Sequence, residues 1–162
     1  MLNKLMIMLM KEYNLLVFST SKPLKIGVYD GQRFLESFQM QGQLSDCLLP
    51  LFAQVCDKYP KIQTLFFING PGSFMALKLV YIFAKTLAIT QGVEILAANG
   101  FEFNGDSPIR AYGKSYFVRK NGQIFLESFE DSIEETEYTF PQILNKDCFS
   151  QSIKPLYLLP AF

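Results

Sequence analysis

The sequence contains no histidine and no tryptophan. Without imidazole there is no Ser-His-Asp or Cys-His nucleophilic mechanism, no histidine general base, and no mixed Cys/His zinc site. Cysteine is scarce. Cys47, Cys56 and Cys148 form no C-x-x-C pair, and three thiols cannot complete a four-cysteine metal site. An odd, scattered set suits free thiols in a reducing compartment. An excess of one charge is missing too. Lys plus Arg number 15 and Asp plus Glu number 15, so bulk charge cannot hold nucleic acid, although a local basic patch could. The apolar start, MLNKLMIMLM, falls far short of the ~20 residues of a bilayer span and leads to no small-residue cleavage site. The chain therefore reads as soluble and cytoplasmic.

What is present is core-forming material. Hydrophobic residues make up 49% of the 162 and charged residues only 19%, which excludes disorder and fits one domain or two small lobes. Residues 13–19 (YNLLVFS) and 24–29 (LKIGVY) read as strands. Asp30-Gly31 then suits a type I′ hairpin turn leading to a returning strand over 32–39. Apolar residues at three- and four-residue steps from Leu44 to Tyr59 predict an amphipathic helix, with Ser45 as N-cap and Pro50 delaying or bending its start. Residues 64–69 (TLFFIN) are apolar enough for a central parallel strand. The turn Gly70-Pro71-Gly72-Ser73 leads into a helix over 73–90 that Gly92 stops, and 93–98 (VEILAA) is a further strand.

The second half echoes the first. Residues 30–38 read DGQRFLESF and 121–129 read NGQIFLESF, identical at seven of nine positions, with strand-like runs at 109–112 and 115–120 before the second copy. This is either a generic hairpin pattern or a duplicated β-meander. The acidic run 130–137 reads as a solvated loop or exposed helix start, residues 140–146 as a short helix, and the apolar tail 155–162 (PLYLLPAF) as a segment that packs back on the body.

Two features bear on function. Strand, glycine-rich turn and helix N-terminus present backbone N–H groups to an anion, so Gly70, Gly72 and Ser73 form a candidate anion or nucleotide turn; neither GxxxxGK[ST] nor GxGxxG is present, and a plain capped turn explains the same residues. The helix over 73–90 is apolar almost all round, with Lys78, Lys85 and Thr86 the only clearly polar residues between Phe74 and Ile89. Together with the stripe over 44–59 it suggests apolar surface kept for a partner. The candidate interface residues are Leu48, Leu51, Phe52, Val55, Met75, Leu79, Ile82 and Phe83.

The segment INGPGSFMALKLVYIFAKTLA, residues 68–88, resembles the signature of the bacterial TsaB (YeaZ) proteins, G-P-G-S-F-T-G-L-R-x-G followed by an Ala-rich helix. Gly70, Pro71, Gly72, Ser73, Phe74 and Leu77 match, while Met75, Ala76 and Lys78 replace Thr, Gly and Arg. LVFSTS (16–21) is similar to the family's strand ending I-D-T-S, LSDCLLP (44–50) to its H-S-x-x-L-L-P, and PLYLLP (155–160) to its closing P-x-Y-L-R. The resemblance implies an α/β, ribonuclease H-like (actin-like ATPase) fold with two lobes and mixed sheets, the second lobe truncated. The expected division is an N-terminal extension 1–12, a first lobe 13–100, a shortened second lobe 101–154 and the tail 155–162. It further implies a non-catalytic scaffold that binds TsaD through its first two long helices. The scaffold would activate TsaD for threonylcarbamoyladenosine formation in tRNAs reading codons that begin with A. TsaE is the third component, homodimers form when the chain is alone, tRNA is met only through the complex, and no cofactor or metal is held. Ser19, where actin-like ATPases place an Asp, fits a degenerate nucleotide site. A stand-alone actin-like nucleotide-binding protein or kinase, and a homodimeric module unrelated to tRNA, are the alternatives.

Overall fold

The computed structural model describes residues 3–158. After a short helix α1 (Lys4–Met10), strands β1 (Tyr13–Phe18), β2 (Leu24–Asp30) and β3 (Arg33–Met40) form an antiparallel meander. Helix α2 (Leu44–Lys58), β4 (Ile62–Ile68), α3 (Phe74–Gln91) and β5 (Glu94–Ala98) follow, with β4 and β5 joining β1 in parallel. The resulting five-stranded mixed sheet has the order β3-β2-β1-β4-β5. A second sheet of β6 (Ile109–Tyr112), β7 (Ser115–Lys120) and β8 (Gln123–Ser128) is a three-stranded antiparallel meander.

Two-residue alternation divides the central strands between two cores. Leu15, Val17, Ile26, Val28, Leu65 and Phe67 face α2 and α3. Leu16, Phe18, Tyr29, Phe66 and Ile68 face the opposite way. Among the described residues no α-helix covers that second face. It is closed by an irregular strap, residues 138–149, which contributes Tyr138, Phe140, Leu144 and Phe149. The strap bridges Arg33 on β3 through Ile143, and Ser150, just beyond it, bridges Ala97 on β5, so one run of chain guards parts of both sheet edges. Gly27 is the accommodation for it on β2: a Cβ there would stand 2.6 Å from the Phe140 ring, which itself stacks on Phe18 at 4.3 Å.

Several local expectations shift. Ser45 is not the N-cap of α2; Gln43 is, without a side-chain bond, and Pro50 sits inside a continuous helix, exposed, where it forgoes a single backbone bond. The repeat NGQIFLESF turns on Asn121-Gly122, both at positive φ, with Lys120 paired to Gln123. Its twin turns one residue later, on Gly31-Gln32: Asp30 stays in β2, pairs with Arg33 and lies 2.7 Å from Lys11 Nζ. The helix expected over 140–146 is instead part of the strap, with a single 3-10 turn at Lys146–Cys148. Residues 159–162 of the tail lie outside the described residues. Upstream of them, Leu156 N donates to Asn69 O at 2.7 Å and the Tyr157 ring lies 4.7 Å from that of Phe74.

Candidate functional site

Two surfaces carry the residues singled out from the sequence. The first is the outer side of α2 and α3. Ser73 caps α3 by accepting from Ala76 N at 3.5 Å, and Gly92 ends it in the left-handed region, φ 68°. These caps fix the helix over 18 residues, long and apolar enough by length and composition alone to cross a bilayer. Val80, Phe83, Ala84 and Leu87 are instead sealed in the core against the sheet, and Leu77 is buried against the turn at Gly70.

This packing corrects half of the expected interface. Leu48, Leu51, Val55 and Phe83 belong to the core between helices and sheet and cannot lie open to a partner. They point inward because α2 crosses β2 and β3 through its 47, 48, 51 and 55 row, and Phe52 joins the two helices edge-on to Phe83 at 5.0 Å. Phe52 and Leu79 are half-buried. Met75 and Ile82 are open, 58% and 50% exposed, and two residues outside the expected set join them: Ile89 at 79% on α3 and Leu49 at 67% on α2. Met75, Ile82 and Ile89 stand seven residues apart, nearly two helical turns, and so form one line along α3. That spacing was readable in the sequence, but the all-round apolarity of α3 hid which face it marked.

The second surface is a cleft of about 690 Å3 between the two sheets. Three parallel strands aim their carboxyl ends at it, the usual place for ligands on an α/β sheet. Thr20 and Ser21 follow β1, Gly72 and Ser73 follow β4, and Asn104 follows β5; each lines the cleft. Gly70, by contrast, is buried beneath the tail: a Cβ there would meet Leu156 at 3.0 Å, and its φ of 133° is a conformation glycine favours. Gly72 has no room for a side chain either, since a Cβ would fall 2.8 Å from Thr20 Cγ2. Ser19 does not line the cleft; it is buried with its Oγ unpartnered. Ser21 Oγ lies 2.8 Å from the carbonyls of both Phe18 and Pro23 and closes the loop after β1.

The far wall comes from the second sheet and the segment before the strap. Lys22, Lys25 and Arg110 bring positive charge; the acids beside them are already engaged, Glu135 accepting from Arg110 N at 2.5 Å and Glu137 lying 3.5 Å from Lys25 Nζ. Tyr138 ties the walls together through a 3.4 Å bond with Thr20 Oγ1, and burial pushes its phenol pKa up, against the opposing effect of that bond. Its ring sits over Gly100, where a Cβ would come within 2.6 Å of the hydroxyl. Among the described residues no three of His, Cys, Asp and Glu cluster to hold a metal.

No protein-family model matches the chain, and no curated protein matches its sequence. Solved structures match its fold. YeaZ from Pseudomonas aeruginosa superposes with a TM-score of 0.57 at 15% identity, over 73% of this chain and 65% of the other. An uncharacterized protein with similarity to peptidase YEAZ from Pseudomonas aeruginosa gives 0.53 at 16% identity, over 73% and 64%. The chain thus spans just under two-thirds of the length of both. At such identity the likeness is one of fold: a mixed five-stranded sheet carrying helices, with a smaller second sheet, in the ribonuclease H-like, actin-like arrangement.

Proposed function

We propose that this chain is a non-catalytic scaffold of the TsaB kind, which binds TsaD and holds it in its active conformation for threonylcarbamoyladenosine formation in tRNA. The observation that carries the reading is the apolar line Met75–Ile82–Ile89 on α3, with Leu49 exposed on α2, on a fold like that of YeaZ. Leu79 and Phe52 flank that line as partly covered shoulders. An actin-like paralogue could lay equivalent helices along it, burying about 800 Å2 on each side, typical of a stable pair. In isolation the same line would pair with its own copy. The lack of histidine supports an accessory rather than a metal-dependent catalytic part. TsaE would join as the ATPase and tRNA would be met through the assembly, in the cytoplasm.

The test is Ile82→Asp in the full chain. Ile82 is half-exposed, so the change leaves the fold intact by circular dichroism. Co-purification with TsaD should fall and threonylcarbamoyladenosine in tRNA, read by mass spectrometry of digested nucleosides, should fall with it. Retention of both in the folded variant would overturn the reading.

A further inference from the structure

We propose that a second copy of this chain adds to the free edge of β8, joining two three-stranded sheets into one about a two-fold axis. The chain guards its other sheet edges. On β3, which shares the run FLESF with β8, Phe34 N donates to Gln142 O at 2.9 Å and Leu144 N to Gln32 O at 2.7 Å. On β5, Ala97 and Ser150 exchange backbone bonds at 2.9 Å, and on β6 Glu135 accepts from Arg110 N. β8 ends its sheet, and among the described residues no other segment bonds to its outer side. It also lacks the usual deterrents to pairing. QIFLES carries no lysine and no proline, its register with β7 has no bulge, and its one acid, Glu127, is held by Lys120 Nζ at 2.5 Å. Two adjacent large apolar side chains, Phe125 and Leu126, are instead 45% and 44% exposed.

The hairpin fixes which backbone groups face outward. Lys120 and Gln123 close the two-residue turn, so Gln123, Phe125 and Glu127 spend their N–H and C=O groups on β7; Phe129 N, next in that series, donates to Lys114 O at 3.0 Å. Ile124, Leu126 and Ser128 therefore offer theirs to the open side. One antiparallel register makes the strand its own complement. With Phe125 opposite Phe125 of the second copy, Ile124 meets Leu126 on one face and Gln123 meets Glu127 on the other, while each Ile124–Leu126 pair exchanges both backbone bonds. Centring on Ile124 or Leu126 instead sets Phe125 against Gln123 or Glu127, and centring on Glu127 opposes two carboxylates. Apolar on apolar and amide on acid, in a self-matching register, name a second copy as the occupant. One strand per copy is a small interface, so monomer and dimer should exchange at about micromolar to millimolar concentration.

Disulfide trapping in the full chain tests both the pairing and its register. Every variant carries Ile82→Asp, which keeps self-pairing through the α3 line out of the readout, and the Ile82→Asp chain, with Cys47, Cys56 and Cys148 alone, sets the baseline. In the proposed register the two copies of residue 125 face each other with Cα atoms about 4.5 Å apart, a spacing that a disulfide spans. Phe125→Cys should therefore give at least about tenfold more disulfide-linked dimer on non-reducing gels than Gln123→Cys, whose two thiols would stand roughly 13 Å apart along the strands. Gln123→Cys mixed with Glu127→Cys should cross-link where neither does alone. Adding Leu126→Pro to Phe125→Cys removes an outward N–H without touching the bonds to β7, so the trapped dimer should be lost while circular dichroism stays unchanged. Equal yields from Phe125→Cys and Gln123→Cys, no dimer above the baseline at millimolar protein, or a yield that folded Leu126→Pro leaves unchanged would overturn the proposal. If Leu126→Pro fails to fold, the cysteine comparison alone decides.

Discussion

Replacing Gly27 by alanine probes the seam between sheet and strap. The new Cβ would lie 2.6 and 2.7 Å from two Phe140 ring carbons. Ordinary carbon contacts need ~3.5–4.0 Å, so the ring must withdraw by about 1 Å. That withdrawal loosens the Phe140 stacks on Phe18, at 4.3 Å, and on Phe34, at 5.7 Å. Overpacking of this kind costs about 1–3 kcal/mol. Gly27 lies in a strand at an ordinary φ, so alanine also restricts the unfolded chain and returns roughly 0.4–1 kcal/mol. The net expectation is a loss of about 1–2 kcal/mol in urea unfolding followed by tyrosine fluorescence or circular dichroism. The decisive measurement is a double-mutant cycle with Phe140→Ala. Once the ring is gone the clash is gone, and Gly27→Ala should become neutral or stabilising by up to about 1 kcal/mol. An equal cost in both backgrounds, or a stabilised single variant, would refute the seam as described.

Further outcomes follow from the same geometry. Leu51→Ala, at a fully buried site between α2 and the sheet, should cost about 2–5 kcal/mol, whereas Ile82→Ala should stay within about 0.5 kcal/mol; chemical denaturation of both separates core from open face. Glu36 accepts from Lys58 Nζ at 2.5 Å and from the Tyr59 hydroxyl, and these bonds hold its carboxyl below the usual range. Since the folded value is the lower one, this small contribution is present above the unfolded carboxylate value and fades as pH falls through the folded one. Glu36→Gln should therefore flatten the acid limb of a stability–pH curve by lowering stability slightly at neutral pH and leaving it unchanged in acid. Burial raises the thiols of Cys56 and Cys148, with Glu102 adding to the second, so both should alkylate more slowly at pH 8 than a free cysteine peptide, a difference that urea abolishes; equal rates in the folded protein would contradict the burial described.

Local chemistry made much of the fold legible in advance. Asn121-Gly122 announces a hairpin because both residues tolerate positive φ, and Ser73 and Gly92 bracket α3 because each meets a backbone need at a helix end. The strap could not be read. Its anchors Tyr138, Phe140, Leu144 and Phe149 follow neither a two- nor a 3.6-residue period, and their partners lie tens to more than a hundred residues away. Asp30 shows the same limit on a smaller scale: the β2–β3 register shifts between Val28 and Tyr29, and Asp30 pairs with Arg33 and binds Lys11 instead of opening the turn. On the candidate surfaces, apolarity marked the right helices but not their faces. Leu51 and Ile82 look alike in sequence, and only the sheet beneath α2 and α3 decides that one is core and the other open.

The strap also sets a sequence of events. Every strand of the larger sheet is synthesised before Tyr138, so on the ribosome Phe18, Tyr29 and Phe66 meet water, or a chaperone, until residues 138–149 emerge. A nascent chain halted after β8 would carry a finished pair of helices on one side and a bare row of rings on the other. Premature termination there should yield an aggregating product rather than a smaller soluble protein.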